Sequence, residues 1–401
     1  MDLFLQFGYG MLKHTEELIN KWNGGTVILS PRDLKLDQMK NIQIKIFNNS
    51  GNVLLDPQFY LPRGDHKNLM EHDYWPDLNN TDNFFHSDKL PKMMKKIYYD
   101  YNLNISTSAF ILPGFYSSAI NENWFVLHKL ILNEALKLNP EIPVFSTICL
   151  SSESVLSQES VHSLLENLET WNVDGFYIVP EHPRNNYLID NPNWLLNLMD
   201  LCAGLKLLNK KVIVGYSSHQ SLILGLAKID AISSGTWINV RMFTKDKFNG
   251  KKEESVKKRT TWYYCPQALS EYQIDYLGIA HSLGILEKLK ANEIFDSNYS
   301  EILFRGADPT TVNFTEREAF RHYLHCLHYQ VNNVVKNSFD STYNALKLSL
   351  ETSQNMTEYF LSKGVRGKYR DFSNVLDSTL SALDAFRAIR GLVYAHNWNS
   401  L

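Results

Sequence analysis

Short apolar runs, each followed by a stretch with apolar residues at helical spacing, recur through the first two thirds of this chain. The runs are Thr26–Ser30 (TVILS), Val53–Asp56 (VLLD), Ser108–Leu112 (SAFIL), Val144–Leu150 (VFSTICL), Asp174–Val179 (DGFYIV) and Lys211–Tyr216 (KVIVGY). Ile229–Ser233 is a weaker seventh, and Trp237–Phe243 (WINVRMF) is read as an eighth. They are rich in Val and Ile and apolar on both faces, as strands buried in a parallel sheet must be. Helical patterns cover Asn123–Leu138, Ser157–Trp171, Asn193–Asn209 and Gln220–Lys228. Strand-then-helix order repeated this often predicts an α/β fold, a (β/α)8 TIM-like barrel. A doubly wound open sheet is the alternative, and the lack of GxGxxG after the first run weakens a dinucleotide-binding version of it.

The last third is different. From Thr315 to Leu401 the chain has no proline, and Glu316–Lys336, Ser341–Lys363 and Asp371–His396 read as long helices. The expected organisation is a barrel carrying the active site over residues 1–304 and a helical C-terminal domain over 305–401. With 44% hydrophobic and 21% charged residues, the chain is neither disordered nor fibrous. A net charge of -3 excludes a wholly basic nucleic-acid coat, so any nucleic-acid contact needs a local patch. Cys149, Cys202, Cys265 and Cys326 form no CxxC pair and read as reduced thiols of a cytoplasmic protein. The N-terminus lacks the basic start of a secretory leader, and no apolar run of ~18 residues predicts a membrane span. Neither a metal nor a cofactor is expected. The His322, His325, His328 row is read as a packed helix face, since no acidic residue completes a ligand set.

In a barrel, chemistry gathers at the C-terminal ends of the strands. Those ends offer Asp56, Gln58, Phe59, Tyr60 and Arg63 after the second run and Glu181 after the fifth. Gly215, Ser217, Ser218 and His219 follow the sixth; Ser233, Trp237, Asn239 and Arg241 follow the seventh. Asp56 is the sharpest candidate, because a carboxylate between an apolar strand and a proline suits a general base or nucleophile. Glu181 and His219 are the other acid–base candidates. Arg63 either orients an anion or pairs with Asp65. Ser217 and Ser218 either offer N–H groups to an anion or cap a helix. Lys245–Arg259 has seven basic and three acidic residues. Its Lys251, Lys252, Lys257, Lys258 and Arg259 are candidate phosphate contacts, with a solvated loop as the alternative.

Two stretches carry a family resemblance. VIVGYSSHQSLILGLAKIDAISSGTWINVR and VLLDPQFYLP resemble the tRNA-guanine transglycosylase superfamily, including its DNA-modifying relatives that insert 7-deazaguanines. The resemblance implies that Asp56 contacts the base and transfers a proton. It implies that Phe59 or Tyr60 stacks on the purine, and that Gly215 and Ser217 approach the base edge or phosphate. Ser233 or Ser234 stands where the family has its nucleophilic aspartate, and the CxCxxC…His zinc motif is absent. The implied activity is that of a queuine or 7-deazaguanine transglycosylase-like glycosyltransferase acting on a nucleobase in DNA or tRNA, in nucleic-acid modification or antiviral defence. Two other expectations stand beside it. One is a catalytically inactive nucleic-acid-binding subunit of a complex, with protein partners on the C-terminal helices. The other is an unrelated barrel enzyme for a small metabolite, with a nucleobase-like molecule among the candidates.

Overall fold

The computed structural model describes residues 1–76, 84–250 and 260–401. Eight parallel strands form one sheet: β1 Asp2–Gln6, β2 Gly25–Leu29, β3 Gly51–Leu55, β4 Phe110–Ile111, β5 Val144–Leu150, β6 Gly175–Pro180, β7 Lys211–Val214 and β8 Ala231–Ser234. Their order is β3-β2-β1-β8-β7-β6-β5-β4. Across the remaining seam the Ser108 N–H donates to the Val53 carbonyl at 3.0 Å, so the sheet is a nearly closed barrel. The fold is a (β/α)8 TIM-like barrel with a helical C-terminal region.

One strand assignment is corrected. Trp237–Phe243 is not a strand; it contains a 3-10 turn at Ile238–Val240. The ladder position beside β8 is taken by Asp2–Gln6, with Phe4 opposite Ser233. The barrel therefore begins at the first residues, and its strands precede the sequence-derived count by one.

Side chains of the pleat alternate between two cores. Ile28, Leu54, Ile111, Phe145, Tyr177, Ile213 and Ala231 fill the barrel interior. Leu5, Val27, Val53, Ile148, Ile178, Val214 and Ile232 face the surrounding helices. That outer core runs without a break into Leu324, Leu327, Leu346, Leu383 and Phe386 of the C-terminal helices. The helix Glu316–Val334 packs against β1, against the helix Leu12–Trp22 and against the 3-10 segment His219–Ala227, the place of an eighth barrel helix. The helix Leu376–Asn397 lies on Pro192–Leu207 and on Phe339–Ser362. A short antiparallel hairpin, Trp262–Cys265 with Ser270–Gln273, joins the two parts and packs on Glu316–Val334. From Thr315 onward the described residues contain helices and no strand.

The histidine row is part of this packing. His322 bonds Ser297 Oγ at 2.8 Å and the Tyr264 carbonyl at 2.8 Å. His325 bonds Trp22 Nε1 at 3.0 Å and the Asp296 carbonyl at 3.1 Å. His328 stacks on Trp22 with ring centres 4.0 Å apart. Among the described residues no helix is long and apolar enough to cross a membrane.

Candidate functional site at the barrel mouth

β3 ends at Leu55, and Pro57, which has no N–H, prevents its continuation. Asp56 therefore stands at the C-terminal end of the strand, 1% exposed. Its Oδ1 accepts from the Gln58 N–H at 2.9 Å. Its Oδ2 accepts from three tyrosine hydroxyls: Tyr60 at 2.6 Å, Tyr216 at 3.2 Å and Tyr177 at 3.4 Å. These come from β6, from the end of β7 and from the turn after β3. Burial pushes the Asp56 carboxyl up to about 6, and the four donors hold it from rising further. Burial and the adjacent carboxylate also raise all three tyrosines, well above their ordinary range, so they remain protonated donors.

A second layer of polar groups orients the first. Gln58 Nε2 donates to the Tyr216 hydroxyl at 3.1 Å, and Gln58 Oε1 accepts from the Arg32 N–H at 2.8 Å. Gln6, from β1, accepts from Ser233 Oγ at 2.7 Å and lies 3.1 Å from the Tyr177 hydroxyl. Gln6 Nε2 is buried with no partner among the described residues. The backbone is strained at two of these positions: Gln58 (φ 54) and Tyr216 (φ 53) both adopt the left-handed conformation. Such a conformation costs about 1–2 kcal/mol for a residue with a Cβ, and strain of this kind gathers at functional sites. Gly215 has a steric task here, because a Cβ would lie 2.6 Å from the Tyr177 hydroxyl.

Aromatic rings roof the carboxylate. The Tyr60 ring meets Phe243 at 5.0 Å and Phe248 at 4.8 Å between centres, and Phe243 and Phe248 stack on each other. The segment bearing them is tied down at its ends. Lys245 Nζ donates to the Tyr116 hydroxyl at 3.0 Å, and the Gly250 N–H donates to Asp65 Oδ1 at 2.6 Å. Glu181 takes the Tyr116 hydroxyl at 2.7 Å and lies 4.0 Å from Lys245. Burial, with Glu181 and Asp56 both near, pushes the Cys149 thiol well up, so that thiol is no nucleophile at neutral pH.

The structure therefore brings Asp56, Gln58, Tyr60, Gly215 and Ser233 to one point, with Glu181 at the rim. Other candidates lie elsewhere. Phe59 faces outward, against Trp75 and Phe84. Arg63 is exposed and lines a separate cavity of about 220 Å³. Ser217 N–H and Oγ donate to the Ser233 and Val214 carbonyls, and Ser218 caps the following 3-10 segment. Trp237 packs on Phe320 at 4.8 Å, and Asn239 sits half-buried in the adjoining turn. Lys251, Lys252, Lys257, Lys258 and Arg259 lie outside the described residues.

His219 and Arg241 belong to a second cluster, between the barrel and the C-terminal helices. Arg241 and Arg370 both reach Glu271 Oε2, at 3.2 and 2.7 Å, and Tyr187 donates to Oε1 at 2.9 Å. The Arg241 guanidinium lies 3.5 Å from the Tyr323 ring centre. Burial opposes ionisation of Glu271, but Arg370 and Arg241 outweigh it and bring the carboxyl down to about 2. His219 is held down to about 4 by burial and is neutral at pH 7. This cluster anchors the chain that continues into Phe243 and Phe248.

Sequence reasoning missed Gln6, Tyr177, Tyr216, Phe243, Phe248 and Glu271. A tyrosine hydroxyl in mid-strand, as in DGFYIVP, was the available signal for Tyr177, since a polar group inside a barrel needs a partner. No protein-family model matches the chain, and the search of curated proteins finds no match.

Proposed function

We propose that the protein acts on a nucleobase at the barrel mouth, as a transglycosylase-like enzyme in which Asp56 moves the proton. The carrying observation is Asp56 itself: a carboxyl at a strand end, buried among three tyrosine hydroxyls, that titrates at about 6. A group of that acidity is present in both protonation states near neutral pH, which is what a proton carrier requires. In base exchange the C1′–N bond breaks, its electron pair stays on the departing base nitrogen, and that nitrogen takes a proton. The incoming base then loses its N–H proton as the new bond forms. Asp56 supplies the first proton and receives the second. The rings of Tyr60, Tyr216, Phe243 and Phe248 close over the carboxylate, and the strained turns at Gln58 and Tyr216 support a site kept at a cost in stability.

A second reading, nucleic-acid binding without base exchange, is favoured by Ser233 and Ser234, which supply no carboxylate at the position of the family nucleophile. One experiment separates the two. The protein is incubated with tRNA, and separately with DNA, in the presence of isotope-labelled guanine or a labelled 7-deazaguanine, and the digested nucleosides are weighed by mass spectrometry. Incorporation that disappears in Asp56→Asn is expected. Equal incorporation by the variant would remove Asp56 from the reaction. Tight, salt-sensitive binding with no incorporation would leave the binding reading in place.

A further inference from the structure

A cavity of about 360 Å³ lies between the barrel and the C-terminal helices, and none of the residues that bond Asp56 lines it. Its walls are the 3-10 segment that begins at His219, the hairpin turn at Gln267, and parts of the helices Glu316–Val334 and Phe339–Ser362. Leu222, Ile223, Leu269, Leu346 and Phe372 are buried and make much of the wall apolar. Ile294 and Leu348, also lining it, are exposed and mark its opening. Two glutamines on the wall are satisfied at both ends of their amides. Gln220 accepts from the Ile189 N–H at 2.7 Å and donates to the Ile189 carbonyl at 2.9 Å. Gln330 accepts from the Tyr264 hydroxyl at 2.9 Å and donates to the Pro266 carbonyl at 3.0 Å. Two other groups are not satisfied. His219 is 1% exposed; its Nδ1 faces the Tyr323 hydroxyl at 3.5 Å, but its Nε2 has no hydrogen-bond partner among the described residues. The Leu269 carbonyl lies near the imidazole, outside hydrogen-bonding geometry. Gln267 Nε2 donates to the Lys290 carbonyl, which fixes the amide, while the buried Oε1 accepts from nothing among the described residues. A buried polar atom without a partner costs free energy, and so does an apolar wall facing solvent. A ligand that covers the wall and bonds both atoms removes both costs.

We infer that this cavity binds an uncharged, ring-bearing small molecule whose hydroxyl group meets His219 Nε2 and Gln267 Oε1. Its volume falls within the roughly 300–1,000 Å³ usual for small-molecule sites, which are mostly apolar, carry a few fixed polar groups and favour domain junctions. The rings that frame it suit a ring ligand: His219 lies 5.9 Å from Phe372 between centres, and Tyr329 meets Phe295 edge-on at 5.1 Å. Gln267 Oε1 only accepts, so the ligand must donate there; a hydroxyl that does so still accepts from a protonated Nε2. Charge is disfavoured. Lys336 is the one charged side chain among the lining residues and is exposed, and burial keeps His219 neutral at pH 7. A charged group at the buried end would lack a counter-ion.

The test measures binding of 2-naphthol to the full chain by NMR titration. Naphthalene, which lacks the hydroxyl, and 2-naphthoate, which adds a charge, are the comparisons. 2-Naphthol should bind saturably and about tenfold more tightly than either, the worth of a hydrogen bond made in an apolar site. Gln267→Met and His219→Phe, which keep side-chain bulk and remove the polar atoms, should each weaken 2-naphthol binding about tenfold and leave naphthalene within about twofold. Ala345→Trp, which fills the cavity from a half-buried position on its wall, should abolish binding of both with an unchanged far-UV circular dichroism spectrum. Should His219→Phe fail to fold, Gln267→Met and Ala345→Trp decide. The site is overturned by no saturable 2-naphthol binding, by equal affinity for naphthalene, or by tighter binding of 2-naphthoate. Unchanged 2-naphthol affinity in Gln267→Met or in Ala345→Trp overturns it as well. None of these readouts involves base incorporation, so the site and the reading at the mouth stand or fall separately.

Discussion

The Tyr60 hydroxyl donates to Asp56 Oδ2 at 2.6 Å, four residues back along the chain, and both side chains are buried inside the barrel. The pair is local in sequence but faces a common interior only because the backbone turns left-handed at Gln58 between them. Tyr60 stabilises the charged form of Asp56. Tyr60→Phe should therefore raise the Asp56 pKa above about 6, and Tyr216→Phe, which removes a longer bond of 3.2 Å, should raise it less. Carboxyl carbon NMR titration reads both. A fall in the pKa of either variant would contradict this assignment of donors.

Asp56 also sets a pH dependence of stability. Its folded pKa of about 6 lies above the ordinary 3.8, so the folded state holds the proton more tightly. Its contribution is complete below about pH 4 and is lost as pH rises through about 6. The shift corresponds to about 3 kcal/mol. Urea unfolding of wild type and Asp56→Asn at pH 3.5 and pH 7.5 should show the variant gaining stability relative to wild type at the higher pH, by an amount of that order. A difference independent of pH would sink the claim that Asp56 is buried and titrates in this range.

The roof should be separable from the carboxylate. Phe248→Ala removes a buried ring that stacks on Phe243 and Tyr60. It should cost about 3–5 kcal/mol of stability. It should also admit water to Asp56 and lower its pKa towards the ordinary value. If the NMR titration of Phe248→Ala matches wild type, Phe248 does not shield the site.

Glu271 titrates in the opposite sense. Arg370 and Arg241 hold it at about 2, below the ordinary 4.5, so its contribution is present above pH 4.5 and lost as pH falls through about 2. Glu271→Gln leaves the buried Arg241 guanidinium and the partly buried Arg370 guanidinium short of their partner. It should destabilise the protein by about 3–5 kcal/mol at pH 7. The gap from wild type should narrow below pH 4.5. Hydrogen exchange should also quicken in the Ile238–Phe248 segment, which Arg241 anchors. Unchanged exchange there would separate this cluster from the mouth.

Much of the barrel was legible in the chain, because a buried parallel strand must be apolar on both faces. β5 runs over Val144–Leu150, the same residues that the pattern marks. Asp56 was legible too, as a carboxylate between an apolar run and a proline. Other features were not. DLFLQ is short and polar at both ends, and it becomes a strand because β8 and β2 flank it with open ladders. WINVRMF has strand-like residues, but the edge of β8 is already occupied, so it turns and contributes Phe243 to the roof.

By itself the sequence determined the periodicities: alternating strands and helices, a helical final third, and polar residues concentrated at strand ends. Those follow from which residues can be buried and from the spacing of their side chains, and both are local properties. Tertiary structure decided which strand ends share a mouth and which polar groups meet. Tyr177 and Tyr216 reach Asp56 across 121 and 160 residues of chain, and Glu271 collects Arg241 and Arg370 from 30 and 99 residues away. No local pattern encodes such meetings. They depend on barrel closure, which sets the register of strands far apart in sequence, and on burial, which makes each unpaired polar group costly enough to select its partner.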